Sequence, residues 1–366
     1  MSDLVEYPHR QAGTDPAESA AFADAQWHDL LVEPLDGRAW DDVAKPTDRL
    51  PARAESLVRE EVWNLSRQPV GLSVTFTTEA TELFVRWAFD EPVRYNARSP
   101  GQRDAGLDCY GQDDDGAWYW VGAAPPLDRP SCCLRINQTP LDGRRRRYRL
   151  YLPNTHAPAA LSLGVPAGAS VQLGGRDPRK PVVYYGTSIV HAAGASRAGM
   201  GHTAILQRRL DLHLVNLGFS GNARLEPELA QLLAELDPAL YVIDAMANNS
   251  PESARALLGP FIRSLRAAHS DTPILVVPDR LYTDHRFQPS RERSWAAKRE
   301  VFDAVLAELA AEGVAGIHRL PHLDLFGTDT EGSVDGSHPS DLGAWRMAKA
   351  TTTAIASILG LREVAR

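Results

Sequence analysis

The first half of the chain contains short runs in which apolar and polar residues alternate with a period of two. From about Val58 to Val171, runs such as LSVTFTTEATELFVRWAF and RRYRLYLP are separated by clusters of Gly, Pro and Asp. Half-buried strands show this alternation, and the Val, Thr and aromatic residues that fill the runs favour strands. The pattern predicts an antiparallel β-sandwich of the jelly-roll-like kind.

The second half changes to continuous apolar runs separated by amphipathic segments. The predicted strands are VVYYG, LVNLG, LYVID, PILVVP and one near residues 316–320; the later predicted helices run from about Ser294 to Glu312 and from Asp341 to Leu359. Strands that are apolar on both faces predict a parallel sheet covered by helices on both sides. In such folds substrates bind at the carboxyl ends of the strands.

A stretch rich in Gly, Pro and charged residues, GGRDPRKP at positions 174–181, separates these two patterns. The sequence therefore predicts three parts: an N-terminal arm at residues 1–50, a β-sandwich domain at 51–177 and an α/β domain at 178–366. The arm is expected to be partly extended and to contact one of the two domains.

Charge and hydropathy exclude several classes of protein. The formal net charge is -8, whereas nucleic-acid binders usually present a basic face. No window holds the ~18 uninterrupted apolar residues of a membrane span. The first residues also lack the basic start and apolar core of a secretory signal. We therefore expect a cytoplasmic protein without a nucleic-acid or membrane partner.

Polar residues that can carry chemistry follow the predicted strands of the second half. Ser188 comes after the first strand, Gly221 lies in NLGFSGN after the second, and Asn248 lies in IDAMANN after the third. Asp335 and His338 share the loop DGSHPSDLG before the last helix. A serine can act as a nucleophile when a base lies within hydrogen-bond reach, and amide groups nearby can stabilise an oxyanion. These loops together predict a reaction centre.

The four blocks YYGTSIVHAAGASRAGMGH, VNLGFSGNARLEPELA, YVIDAMANN and DGSHPSDLG resemble the signature blocks of the SGNH (GDSL-like) hydrolase superfamily. From about Glu60 onward the chain is similar to a bacterial two-domain branch in which a β-sandwich precedes the catalytic domain. The resemblance implies a flavodoxin-like three-layer α/β/α fold, with no metal or organic cofactor in the catalytic step.

The resemblance also implies a role for each candidate residue. Ser188 is the expected nucleophile, His338 the base and Asp335 the residue that orients it. The amide of Ser188, Gly221 and Asn248 are the expected oxyanion hole; the family register favours Asn248 over its neighbour Asn249.

The chain departs from the family pattern around the nucleophile. Thr187 and Ile189 replace the usual aspartate and leucine, and His191 stands where relatives often have glutamine. His191 either lines the substrate pocket or is a packed core residue; the sequence leaves both roles open. A second serine, Ser220, lacks the G-x-S-x-G context of an α/β-hydrolase nucleophile.

Two other groups of residues could support a different function. His318, His322 and Asp324 lie close together in sequence but lack a known metal-ligand spacing, so we expect no metal site. The aromatic run 118–120 could form a sugar-stacking platform, which would suit a catalytically silent carbohydrate-binding protein. Because neighbouring strand residues face opposite sides, at least one of the three must instead point into the core.

The predicted activity is acyl-ester chemistry through an acyl-Ser188 intermediate. The acyl group then passes from Ser188 to an acceptor. If the acceptor is water, the chain is an esterase; if it is the hydroxyl of a small molecule, the chain is an O-acyltransferase. Acylated sugars and natural products are the expected substrates, with an acyl-CoA as a candidate donor, and some similar enzymes are natural-product tailoring acyltransferases. The sequence leaves the acceptor and the oligomeric state open.

Overall fold

A computed structural model describes residues 22–93, 99–126, 131–321 and 324–364. The first 21 residues of the predicted arm, and His322 of the histidine group, therefore lie outside the described residues.

The N-terminal half is built from two antiparallel sheets. One has the strand order β1-β8-β3-β6 and the other the order β5-β4-β7-β2-β9. The strands are β1 (Gln26–Asp29), β2 (Ser73–Thr78), β3 (Phe84–Ala88), β4 (Leu107–Gln112), β5 (Trp118–Ala124), β6 (Ser131–Arg135), β7 (Arg146–Tyr151), β8 (Ala160–Val165) and β9 (Val171–Leu173). This confirms the predicted antiparallel sandwich.

Cross-strand packing explains the alternating pattern of this half. Phe76 of β2 lies opposite Tyr148 of β7, and the two rings stack with centroids 5.4 Å apart; such pairs stabilise a sheet. Of the aromatic run, Trp118 is buried, whereas Tyr119 and Trp120 are 46% and 52% exposed. One of the three residues thus faces the core, as strand geometry requires.

The second half contains a five-stranded parallel sheet with the order β11-β10-β12-β13-β14. Its strands are β10 (Val182–Gly186), β11 (Leu214–Gly218), β12 (Leu240–Asp244), β13 (Ile274–Val276) and β14 (Ile317–Arg319). Every residue of the first four is buried, which explains their continuous apolar sequence. Placing the first strand, β10, between the second and the third gives the flavodoxin-like order that the resemblance implied.

Helices cover this sheet, and two shorter helices precede it. They are α1 (Glu60–Ser66), α2 (Gly101–Ala105), α3 (His202–Leu210), α4 (Pro227–Ala234), α5 (Pro251–Ala268), α6 (Pro289–Ala311) and α7 (Asp341–Leu359). Two separate apolar clusters flank the sheet: one contains Val183, Tyr185 and Phe261, and the other Val182, Tyr184 and Met347. The three-layer prediction is therefore confirmed.

The segment before the sandwich contacts both halves of the molecule. Strand β1 pairs with β8 of the sandwich, whereas Trp40, Leu50, Val62 and Trp63 join the apolar cluster on the sheet of the second half. The domain boundaries after residues 50 and 177 stay predictions. Residues on both sides of the first boundary belong to the apolar cluster of the second half.

Candidate active site

Three strands of the parallel sheet end at the same level. Gly186 at the end of β10 lies in register with Gly218 of β11 and Asp244 of β12. The loops that carry Ser188, Gly221 and Asn248 therefore leave the sheet side by side. Position 186 needs a glycine, because a Cβ there would lie 2.7 Å from the carbonyl oxygen of Asp244.

Ser188 and the loop before α7 are joined by a continuous line of hydrogen bonds. Ser188 Oγ lies 2.8 Å from Nε2 of His338, and Nδ1 of the same imidazole lies 2.7 Å from Oδ2 of Asp335. With its proton on Nδ1, the imidazole donates a hydrogen bond to the carboxylate, and its Nε2 is free to accept the proton of Ser188. The structure thus brings together the three residues that the sequence singled out.

Both carboxylate oxygens of Asp335 take part in hydrogen bonds. Oδ1 accepts hydrogen bonds from the backbone N–H groups of Ser337 at 3.0 Å and His338 at 2.8 Å. Partial burial raises the pKa of Asp335, but the hydrogen bonds from the His338 side chain and from these two amides outweigh it, so the pKa lies below its usual value. The carboxylate therefore stays ionised beside the imidazole.

Three hydrogen-bond donors near Ser188 remain available. Within the described part of the chain, the backbone N–H groups of Ser188 and Gly221 donate to no protein group. Asn248 accepts a hydrogen bond from Ala223 N through Oδ1 at 3.3 Å, which leaves its Nδ2 as a donor. Gly221 has φ +71°, a left-handed conformation that favours glycine.

Asn249, the neighbour considered in place of Asn248, has a structural role. It is buried, and its Nδ2 donates to the carbonyl oxygens of Ala223 at 3.2 Å and Ala245 at 2.8 Å. Its side-chain N–H groups are therefore engaged, whereas those of Asn248 are not.

A shallow recess borders the Ser188–His338 pair. It encloses about 200 Å³, part of it open to solvent, and its lining includes direct neighbours of three candidate residues: Ile189 beside Ser188, Ala247 beside Asn248, and Ser337 beside His338. The other lining residues are Asp279, Arg280, Tyr282 and Phe326. A group bound in this recess would lie next to the nucleophile.

His191 is a buried residue behind the nucleophile and is not among those that line the recess. Burial, together with the positive charges of Arg49 and Arg103, holds the pKa of His191 well below its ordinary value. The imidazole is therefore neutral and inside the protein, and this geometry supports the packed role over the substrate-pocket role.

Asn216 contributes to the site, although the sequence analysis did not single it out. From its buried position on β11 it donates through Nδ2 to the carbonyl oxygen of Val190 at 2.8 Å and accepts from Gly218 N at 2.9 Å. It thus ties the turn that follows Ser188 to the end of β11. A polar residue inside the apolar strand LVNLG was the available signal.

A buried ion pair borders the recess. Asp244, at the end of β12, contacts Arg280 after β13, and both side chains are at most 2% exposed. A second buried pair joins Asp279 to Lys298 of α6 at 2.9 Å. Each of these four buried charges therefore has a partner of opposite sign, which offsets the cost of its burial.

The described residues contain neither a metal-binding cluster nor a membrane-spanning helix. No group of three or more His, Cys, Asp or Glu residues suited to a metal ion occurs within residues 22–93, 99–126, 131–321 and 324–364. Across the same ranges, no helix has both the length and the hydrophobicity needed to cross a bilayer.

Solved structures resemble this fold over most of its length. A protein from Bacteroides ovatus described as a GDSL-like lipase is 28% identical, with a TM-score of 0.87 over 93% of this chain and 100% of its own. The salicylyl-acyltransferase SsfX3 from a tetracycline biosynthetic pathway is 19% identical, with a TM-score of 0.70 over 93% of this chain and 99% of its own.

A more distant structure shares the fold alone. The acetyl xylan esterase Est2A from Butyrivibrio proteoclasticus is 11% identical, with a TM-score of 0.55 over 92% of this chain and 99% of its own. No curated protein matches the sequence significantly.

Two family profiles together match most of the sequence. The GDSL-like lipase/acylhydrolase family matches residues 179–356, and the N-terminus of SGNH-hydrolase-type esterases matches residues 25–171. Residues 179–356 therefore form a domain of the GDSL-like lipase/acylhydrolase family and residues 25–171 an N-terminal domain of SGNH-type esterases, which makes the chain an esterase or acyltransferase.

Proposed function

We propose that this enzyme transfers acyl groups through an ester formed on Oγ of Ser188. The observation that carries the proposal is the line of hydrogen bonds from Asp335 Oδ2 through His338 to Ser188 Oγ, with distances of 2.7 and 2.8 Å. A serine, a base and an orienting carboxylate in this geometry are the parts that nucleophilic acyl transfer needs.

The first half-reaction forms the acyl-enzyme. His338 Nε2 accepts the proton of Ser188 as Oγ attacks the substrate carbonyl carbon, and the π electrons of the carbonyl move onto its oxygen. The tetrahedral intermediate then collapses, the bond to the leaving group breaks, and the imidazolium returns the proton to the departing oxygen or sulfur. Asp335 stabilises the imidazolium but keeps its own charge.

Three donors would stabilise the oxyanion of this intermediate. They are the backbone N–H groups of Ser188 and Gly221, which donate to no other group in the described chain, and Nδ2 of Asn248, oriented by the bond to Ala223 N. Donors that are fixed before the reaction act on the developing charge without reorganisation, and losing one typically costs about 10²- to 10³-fold in rate.

We propose water as the acceptor in the second half-reaction. The His338 side chain is 29% exposed and that of Asp335 is 42% exposed, so water can reach the base that would activate it. An enzyme that protects an acyl-enzyme from hydrolysis instead needs to exclude water from the site. The open imidazole thus favours an esterase.

The recess beside Ser188 is the proposed binding site of the acyl group. Its apolar wall is formed by Ile189, Ala247, Tyr282 and Phe326. Because the recess is shallow and opens to solvent, the proposed acyl group is a short chain such as acetyl. Acylated sugars and acylated natural products are the proposed substrate classes, supported by the resemblance to an acetyl xylan esterase and a salicylyl-acyltransferase.

The second candidate is O-acyl transfer to the hydroxyl of a small molecule. The likeness of the whole chain to the salicylyl-acyltransferase SsfX3 favours it, and an acyl thioester such as an acyl-CoA is then the proposed donor. Neither acceptor requires a metal or an organic cofactor, because the proton transfers use His338 alone.

Two measurements test these proposals. A fluorophosphonate probe should label the wild-type protein on the peptide that contains Ser188, and Ser188→Ala should abolish both labelling and turnover of an aryl acetate. Adding a small alcohol during turnover then separates the acceptors: an esterase releases mainly acetic acid, whereas an acyltransferase releases mainly the new ester. Normal turnover by Ser188→Ala would refute the nucleophile assignment.

A further inference from the structure

A buried arginine of the sandwich half contacts the loop that carries Ser188. Arg103 lies on the short helix α2 and is 5% exposed. Its Nε donates to the carbonyl oxygen of Ala192 at 2.8 Å, and its Nη2 donates to that of His191 at 3.0 Å. Both carbonyls belong to the turn that follows the nucleophile, which we call the nucleophile loop (residues 187–195).

The nucleophile loop has a backbone conformation that needs external support. Its internal hydrogen bonds include His191 N to Thr187 O at 3.0 Å and Ala193 N to Ser188 O at 2.9 Å. Ala192, however, has φ +56°, in the left-handed region that residues other than glycine rarely adopt. Such conformations persist where surrounding contacts fix them, and two arginine donors bind the carbonyls on this residue and the one before it.

Arg103 is itself fixed by its own half of the molecule. Nη1 donates to Ser99 Oγ at 3.0 Å and pairs with the carboxylate of Asp104, which is also buried. The backbone of this helix is anchored in turn, since Arg103 O accepts from Asn154 N at 2.9 Å. One side of the guanidinium is therefore held by the sandwich half, and the other side holds the nucleophile loop.

A second buried arginine supports the same loop indirectly. Arg49 donates through Nη1 to the carbonyl oxygen of Asn216 at 3.1 Å, and Asn216 donates to Val190 O of the nucleophile loop at 2.8 Å. Arg49 also donates to the carbonyl oxygens of Leu65 and Gln68, both at 2.6 Å. The N-terminal half thus contacts the nucleophile loop by two separate routes.

We propose that Arg103 is a positioning residue for catalysis, through which the sandwich half sets the conformation of the nucleophile loop and the position of Ser188. This inference rests on the proposed role of Ser188. Because a displacement of ~1 Å in a reacting group can cost about 10²-fold in rate, loss of the two hydrogen bonds should slow the attack by Ser188 while substrate binding is largely kept.

The test uses the full-length protein and three variants. Arg103→Lys keeps a positive charge beside Asp104 but loses the planar fork that reaches two carbonyls. The double variant Arg103→Lys/Ala192→Gly adds a glycine at position 192, where the left-handed conformation is then adopted without strain. Tyr151→Phe is the matched control: it removes a buried hydrogen bond between the halves, from Tyr151 Oη to Gln207 Oε1 at 2.9 Å, that does not contact the nucleophile loop.

The readouts are the fluorophosphonate labelling rate per folded molecule, kcat and KM on an aryl acetate, and the melting temperature. Arg103→Lys should reduce the labelling rate and kcat by about 10- to 100-fold with KM within about threefold, on the positioning argument above, and Ala192→Gly should restore part of that loss. Tyr151→Phe should lower the melting temperature and leave the labelling rate unchanged.

Several outcomes would overturn the inference. One is a folded Arg103→Lys protein that labels at the wild-type rate. Another is an equally slow labelling of Tyr151→Phe, which would mean that any weakening of the contact between the two halves slows the reaction. If Arg103→Lys does not fold, Arg103→Gln takes its place, since its amide N–H can reach only one of the two carbonyls: its labelling rate should fall, and a folded Arg103→Gln protein that labels at the wild-type rate would contradict the argument. Absence of labelling in the wild type would instead refute the proposed function itself.

Discussion

Replacing Asp335 with asparagine tests the orientation of His338 more sharply than deleting the side chain. Oδ2 of the carboxylate lies 2.7 Å from His338 Nδ1, while Oδ1 accepts from the backbone amides of Ser337 and His338 at 3.0 and 2.8 Å. The carboxylate therefore accepts on both sides. An asparagine has one acceptor and one donor end, so Asp335→Asn cannot accept hydrogen bonds on both sides.

The size of the effect follows from counting these hydrogen bonds. With the amide oxygen on the two backbone N–H groups, the NH₂ faces His338 Nδ1 and leaves the imidazole proton on Nε2, where it cannot accept from Ser188. The reverse orientation loses two hydrogen bonds, a cost of about 2–3 kcal/mol at ~1–1.5 kcal/mol each. At about 1.4 kcal/mol per tenfold, the productive state is populated at roughly 1–4%.

We therefore expect Asp335→Asn to reduce kcat/KM by at least about 30-fold on this cost; the same change in a protease triad costs ~10⁴. Initial rates on an aryl acetate measure the loss, and thermal unfolding verifies that the variant is folded. Asp335→Ala is the control, because it removes the orienting group without favouring the wrong tautomer, and it should be no slower than Asp335→Asn. An asparagine variant within tenfold of wild type would refute this reasoning.

Three further predictions concern the oxyanion, the acyl group and acid stability. Asn248→Ala should lower kcat by about 10²- to 10³-fold with little change in KM; steady-state kinetics check this, and an equal rise in KM would contradict the oxyanion role. Phe326→Ala should enlarge the recess and raise the butyrate-to-acetate ratio of kcat/KM by about tenfold, whereas an unchanged ratio would place the acyl group elsewhere. Burial, with the nearby charge of Arg280, lowers the pKa of His202 to about 3. The unfolded chain gains this proton below about pH 6.5, so the contribution of His202 is complete above that pH and is lost as the pH falls towards 3. The loss of stability is ~2 kcal/mol at pH 5, so urea midpoints should fall less steeply with acid in His202→Gln than in the wild type.

The sequence predicted the parallel sheet well because its strands are buried on both faces. The runs VVYYG, LVNLG and LYVID became β10, β11 and β12 without a shift in their limits. The long helix was less well delimited. It begins at Pro289 rather than near Ser294, because its first residues, PSRER, have no apolar stripe that periodicity could detect.

The supports of the candidate site could not be read from the sequence. Arg103 and Arg49 bind backbone carbonyls that lie 89 and 167 positions away in the chain, and a carbonyl has no sequence signature. Trp40 and Trp63 likewise belong to the apolar cluster on the sheet of the second half, although they precede the sandwich strands β2 to β9. Such contacts depend on how the halves pack.

The sequence itself marks two strand positions whose side chains need a specific buried partner. Asn216 and Asp244 are polar residues inside otherwise apolar strands, and both are at most 1% exposed. Because a buried polar group must be hydrogen-bonded or paired, each position indicated a specific partner. The partners, the nucleophile loop for Asn216 and Arg280 for Asp244, were visible only in the fold.

The most direct test of the central claim is intact-protein mass spectrometry during turnover. Wild-type protein and Ser188→Ala would be mixed with an aryl acetate or an acyl-CoA, quenched in acid within milliseconds to seconds, and digested to locate any added acyl mass. The account predicts one acyl group on Ser188 in the wild type and none in Ser188→Ala. An acyl group on another residue, or equal acylation and turnover in Ser188→Ala, would contradict it.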